Sequence, residues 1–277
     1  MLSIFYGIAS AATWGAADFL GGLASKRTSP YRVLFLGQMA GFVPFILIAL
    51  LTGETFPPFK DVLWALLSSL LGLMGLVFLY RALAGGQMTI AAPVSALFAA
   101  LIPVVFAFFT QGFPSFNILI GFVLAFAAVW LISQTDGMNL RFSFSDLKIP
   151  LTSGLFFGLY FITLHQATLK SFFWPIASAR LTGVLLLGLM ALLMRQPAMP
   201  PRDLWGFVIL NGILDTAGNG FYALAARTGR LDVAAVLGAL YPASTVLLAW
   251  GLLKEKISWI QTAGILCAFT AIILFTL

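Results

Sequence analysis

Between Ile209 and Ala226 the chain reads ILNGILDTAGNGFYALAA, with Asn211, Asp215, Asn219 and Tyr222 recurring at i, i+4, i+8 and i+11. In an α-helix that spacing puts all four on one face. A carboxylate flanked by two amides can hydrate a cavity, hold a polar or cationic group, or take up a proton; the plainer alternative is a buried carboxylate satisfied by hydrogen bonds. A charged group at the centre of an apolar span costs roughly 3 kcal/mol on insertion scales, so such residues face a bundle interior or a wet cavity. The stripe therefore needs other elements to enclose it.

Of the charged residues, only Asp18, Arg180 and Asp215 sit clearly inside apolar runs. Arg180, about a third of the way into its run, can hold a carboxylate or phosphate bidentately, or lock two helices by pairing with a carboxylate. His165, the single histidine, can carry a proton near neutral pH or simply satisfy a backbone carbonyl. Asp18 stands at i+4 from Trp14 and i+8 from Ser10, a second polar face. Trp14 can stack on an aromatic or quaternary ammonium group, or pack against a neighbouring helix. Tyr241 continues the amphipathic aromatic theme of Tyr222, and Gln38 is the internal-repeat counterpart of Arg180. These ten residues are the candidate substrate-binding set. Pro93, Pro103 and Pro242 interrupt helical runs, each removing a backbone donor, and are the candidate gating positions; packing kinks are the alternative. No catalytic constellation is visible: there is no HExxH, and the candidate metal ligands lack a recognisable spacing. Neither a metal nor a cofactor is implied.

Composition explains what surrounds these groups. Hydrophobic residues make up 61% of the 277 positions and charged residues 9%, with mean hydropathy +1.04. That is an integral membrane protein, not a soluble domain. The net charge of +6 does not point to nucleic acid, because basic residues stand singly at the ends of apolar runs, where they anchor to lipid headgroups. Cys267 is the single cysteine, which excludes an intrachain disulfide. The run 2–23 lacks a basic n-region and carries Asp18, so it reads as a first helix and not a cleaved signal.

Apolar runs of spanning length occur at 2–23, 31–51, 62–84, 88–110, 115–133, 149–169, 174–194, 203–226, 231–252 and 259–276. Short connections make successive helices antiparallel neighbours. The longest connection, 134–148, is polar, carries Asp136, Arg141, Asp146 and Lys148, and divides one transmembrane domain of 277 residues into halves 1–135 and 147–277. A shift of 143 residues lays Ala91–Phe98 on Ala234–Tyr241 and pairs Gly75 with Gly218, Ser115 with Ser258 and Gly121 with Gly264. Adjusting for loop length brings Gly7 onto Gly154, Asp18 onto His165 and Gln38 onto Arg180. Five helices per half is odd, so the second half enters from the opposite side, making inverted repeats. Ser68, Gly72, Leu76 and Leu79 stand on the third helix where the eighth has its polar stripe, so the polar ligands come mostly from the second half.

Tyr80-Arg81-Ala82-Leu83 closing the third helix, Ala91-Ala92-Pro93 opening the fourth, and Leu253-Lys254-Glu255 closing the ninth before Gln261 and Gly264 resemble the EamA-type members of the drug/metabolite transporter superfamily. The first half departs from the pattern, with Gln111-Gly112-Phe113 where an acidic residue is often repeated. The resemblance implies a basket of ten helices around a central cavity, working by alternating access. The expected fold is thus all-α and integral to the membrane, with ten transmembrane helices as two inverted five-helix repeats. The expected function is secondary active transport of a small polar or amphipathic metabolite, such as an amino acid or related compound. A passive channel, a lipid translocator and a membrane-embedded enzyme are the alternatives. Expected partners are the substrate, membrane lipid and either protons or a counter-substrate, for a monomer or homodimer in a bacterial cytoplasmic (inner) membrane. Charge counting places both termini outside, since Lys60, Lys170, Arg227 and Arg230 face one side and ten cations the other. The resemblance implies cytoplasmic termini.

Overall fold

The structure, a computed structural model, describes residues 1–84, 88–134 and 144–277. It builds α1 (Leu2–Ser25), α2 (Pro30–Leu51), α3 (Phe59–Ala84), α4 (Met88–Thr110) and α5 (Phe116–Ile132). The second half follows with α6 (Phe144–Ala167), α7 (Phe173–Met194), α8 (Trp205–Thr228), α9 (Leu231–Gly238), α10 (Tyr241–Leu253) and α11 (Trp259–Thr276). Most of the polar connection expected at 134–148, with Asp136 and Arg141, lies outside the described residues. Tyr80, Leu83 and Asp146 belong to helices, but their side chains are likewise outside what is described.

The run expected as one ninth helix is two pieces, α9 and α10, split at Ala239–Leu240. Pro242 is the physical cause: it has no N–H to return to the carbonyl four residues back, and its ring crowds that carbonyl. The backbone tightens there through Leu240 N–H to Leu237 O at 3.1 Å, and Pro242 takes the first turn of α10, where its missing donor costs nothing. By contrast, α4 continues unbroken through both Pro93 and Pro103. Other ends follow local rules. Ser258 and Gln261 form a reciprocal capping box at the start of α11. Left-handed Arg195 and Lys254 close α7 and α10.

Among the described residues, seven helical segments are long and apolar enough to cross a membrane, with α9 and α10 counting as one segment, and α5 is a shorter apolar helix of 17 residues. Their apolar side chains face outward as well as inward. On α3, Leu63, Leu67, Leu70, Met74 and Val77 form a helical stripe in which every member is at least 40% exposed. A stripe of that kind would be a core face in a soluble protein, and here it meets lipid tails. The chain is an integral, multi-pass membrane protein. Helices α1 and α8 are absent from the seven; they carry Asp18 and Asp215, and they pack closely against each other at the centre of the bundle.

The halves pack reciprocally. Ser10 Oγ donates to Gly218 O at 2.9 Å between α1 and α8, and Ser153 Oγ donates to Gly75 O at 2.8 Å between α6 and α3. Both donors and both acceptors are 143 positions apart. Trp14 lies against Gly218 as Phe157 lies against Gly75, and Phe275 fills the space at Gly121 as Ile132 does at Gly264. This corrects the loop-length adjustment: Ser10 corresponds to Ser153 and Trp14 to Phe157, so the counterpart of Asp18 is Phe161 and not His165. Equivalent helices run in opposite directions. Phe45 meets Phe173 near one end of the α2–α7 pair while Phe35 meets Gly188 near the other, an antiparallel contact between counterparts.

Candidate functional site

A cavity of about 240 Å³ lies between the halves, walled by α1, α2, α3 and α4 from the first and by α6, α7, α8 and the α9–α10 break from the second. It extends from mid-bundle toward the end where α3 finishes and α4 begins, with Leu79 and Ala92 in its lining. At the other end Leu164 and Ile176, each 1% exposed, form the floor. Beneath the floor, Tyr222 is fully buried.

Seven of the ten substrate-binding candidates line this space: Trp14, Asp18, Gln38, Arg180, Asp215, Asn219 and Tyr241. Arg180, only 6% exposed, is held from two sides. Its Nη1–H donates to Gln38 Oε1 at 3.0 Å, and its Nη2 lies 2.6 Å from Asp215 Oδ2. The second contact is an ion pair by distance but lacks hydrogen-bond alignment, so Nη2 has no acceptor. Asp215 keeps 41% of its side chain exposed, so the pair is open to the cavity on its carboxylate side. Asn219, one turn further along α8, accepts from Trp14 Nε1 at 2.9 Å. That bond fixes the indole, which also stacks on Phe161 at 5.6 Å between centroids. Asp18, one turn beyond Trp14 on α1, lines the cavity with its side chain exposed. Tyr241 enters at the first residue of α10, brought to the cavity by the helix break.

Three candidates lie elsewhere. Asn211 donates to Ala17 O at 2.7 Å and fits beside Gly21 and Gly37, wedged where α1, α2 and α8 meet. Tyr222 donates its hydroxyl to Phe161 O at 3.0 Å. His165 is buried, with Nδ1 unpartnered, and does not line the cavity. The polar stripe on α8 thus divides: its middle faces the cavity and its ends hold helices together. Of the proline positions, the α9–α10 break adjoins the cavity through Ala239 and Tyr241, while Pro93 and Pro103 are buried within α4.

Sequence reasoning did not place Ser69, Ser95, Phe157, Tyr160 and Phe161 in the wall. A usable signal existed for α3. Gly72, Leu76 and Leu79, the counterparts of the α8 stripe, line the cavity just as Asp215 and Asn219 do. Tyr160, beside Gly154 and Gly158 on α6, gave no such signal. Those glycines do pack closely, against Phe98 and Ile102 of α4, and the same helix turns Tyr160 toward the cavity.

Among the described residues, no group of three or more His, Cys, Asp or Glu side chains could hold a metal ion. The family of EamA-like transporters matches the chain twice, over residues 1–134 and 147–277. No curated protein matches it. One solved structure, described only as the crystal structure of a protein, aligns over 99% of this chain and 98% of its own with a TM-score of 0.84. At 17% identity that likeness speaks to the fold alone.

Proposed function

The chain belongs to the EamA-like transporter family, and from that premise we propose that it is a secondary active transporter moving a small polar or amphipathic solute, such as an amino acid or related compound, by alternating access. In this reading ten transmembrane segments form two inverted repeats, with α9 and α10 together crossing once. Asp215, Asn219, Arg180, Gln38, Trp14, Asp18 and Tyr241 are the ligand-facing set. Pro242 marks the moving element.

The observation that carries the proposal is a cavity with charged walls drawn from both halves and, among the described residues, a floor at the Leu164–Ile176 end. Substrate sites of inverted-repeat transporters lie at such junctions, beside broken helices. The floored end is also tied across the halves. Glu54, in the α2–α3 connection, accepts from the backbone N–H groups of Phe172, Phe173 and Trp174 at 2.5, 2.9 and 3.0 Å. Arg230 reaches Gly112 O at 2.7 Å, and Gln111 Oε1 accepts from Leu231 N–H at 3.0 Å. A passive channel needs a path through this end as well. A membrane-embedded enzyme gains no support from membership of a transporter family.

The test is counterflow in liposomes. A thermal-shift screen of purified protein against metabolites selects a ligand, since binding to the folded state raises its apparent stability, and the labelled compound is then exchanged against unlabelled pool. Saturable counterflow is expected, with Asp215→Asn strongly impaired and still folded. Flux that rises linearly with concentration would sink the transporter reading, and normal flux in Asp215→Asn would remove that residue from the site.

A further inference from the structure

We propose that the cavity is built for a monovalent organic cation, an ammonium group carried on an apolar or aromatic body, with Asp18 receiving the charge. The inference rests on the transport reading of this same cavity and narrows its cargo from amino acids to related amines that lack the carboxylate.

Among the described residues, three charged side chains line the space: Asp18, Arg180 and Asp215. Arg180 and Asp215 are committed to each other at 2.6 Å, with Gln38 taking the guanidinium's other nitrogen. Their charges cancel. Asp18 is left over: among the described residues it has neither an ion-pair nor a hydrogen-bond partner, and its side chain is exposed within the cavity wall. The remaining polar lining, from Ser69, Ser95, Tyr160, Asn219, Tyr241 and the indole of Trp14, is neutral. With Asp18 ionised, the lining among the described residues sums to one negative charge inside an apolar bundle, and a single positive charge balances it.

The rest of the wall suits the body of such a cation. Trp14 precedes Asp18 by one turn on the same helix face, and Phe157, Tyr160, Phe161 and Tyr241 line the other sides. Aromatic faces attract an ammonium while accepting apolar groups. An anion would have to face Asp18 and pull Asp215 away from Arg180. A zwitterion meets half of that difficulty, since its carboxylate finds no free cation among the described residues. Size sets a further limit: about 240 Å³ lies below the roughly 300–1,000 Å³ of pockets for drug-sized ligands. The fitting cargo is a compact amine.

Four probes with one phenyl ring and different charge decide the matter: phenethylamine, phenethyl alcohol, phenylalanine and 3-phenylpropionate, titrated calorimetrically into the purified full-length protein. Phenethylamine is expected to bind tightest, and Asp18→Asn to weaken it by roughly tenfold or more, the loss due to a charge-assisted contact, with Asp18→Glu restoring the preference. Equal or tighter binding of the zwitterion or the anion overturns the proposal. So does binding unaffected by Asp18→Asn, or no binding by any of the four. If Asp18→Asn does not fold, the charge series on the unaltered chain still decides. Saturable counterflow of another solute alongside a failed charge series strikes the cation assignment alone; absence of saturable counterflow for every ligand found strikes the transport reading.

Discussion

Arg180 is the residue on which the site's electrostatics turn. Taking a guanidinium from water into a helix bundle is costly unless an opposite charge and hydrogen bonds compensate it, and Asp215 and Gln38 supply both. Removing one partner should cost more than removing the pair. Arg180→Gln is expected to lower stability by about 2 kcal/mol, less than for a fully enclosed pair because Asp215 can turn to cavity water. The double variant Arg180→Gln/Asp215→Asn should recover part of that loss, read as a positive coupling in thermal denaturation of the four proteins of the cycle. Additive losses, with the double variant destabilised by the sum of the two singles, would mean the contact contributes nothing. At this scale the sequence was informative about type and poor about aim. Asp18, Arg180 and Asp215 stood out because charge is scarce in apolar runs, and all three line the cavity. Asn211 and Tyr222 share a helical face with Asp215, yet both are occupied by backbone carbonyls of neighbouring helices. One face of a helix covers a wide arc, and spacing cannot tell which part of it meets a void and which a neighbour.

At the scale of elements, two devices hold the bundle in its observed arrangement. Glycines let helices approach: a Cβ on Gly158 would stand 2.5 Å from that of Ile102, and one on Gly218 would stand 2.4 Å from the Trp14 ring. Gly158→Ala is expected to destabilise by about 1–3 kcal/mol through overpacking, measured as a fall in melting temperature; an unchanged melting temperature would show that α4 and α6 separate freely. The other device is borrowed capping. α7 begins without a side-chain cap of its own, and Glu54 from the opposite half takes its first N–H groups. A carboxylate there also meets the positive end of the helix dipole. Glu54→Gln should therefore loosen the floored end at a cost of about 1 kcal/mol, seen as faster labelling of cavity cysteines from that side. Helix positions were legible from apolar runs, but Glu54 was not, because its partner is a helix end more than a hundred residues away. The α9–α10 break was half legible: Pro242 announced an interruption, while Pro93 and Pro103 announced others that α4 absorbs without breaking.

For the molecule as a whole, the contacts at Ser10–Gly218 and Ser153–Gly75 are equivalent across the two halves. Packing between counterparts is matched; among the described residues one end is floored and tied by Glu54, Gln111 and Arg230, and the cavity extends toward the other. Exchanging the conformations of the two halves would turn the cavity to face the opposite side, which is the physical content of alternating access. The repeat was readable in the ordered 143-residue offset; that the first and sixth helices keep the same offset was hidden by their divergent side chains, Asp18 against Phe161. The most direct test uses Leu76→Cys, in the cavity wall on α3, in protein whose single native thiol is removed by Cys267→Ser. A membrane-impermeant maleimide is applied to oriented vesicles from each side in turn, with and without the ligand found by thermal shift. Labelling from both sides is expected, with the ligand changing the ratio of the two rates. Labelling from one side only, at a rate the ligand does not alter, would contradict alternating access.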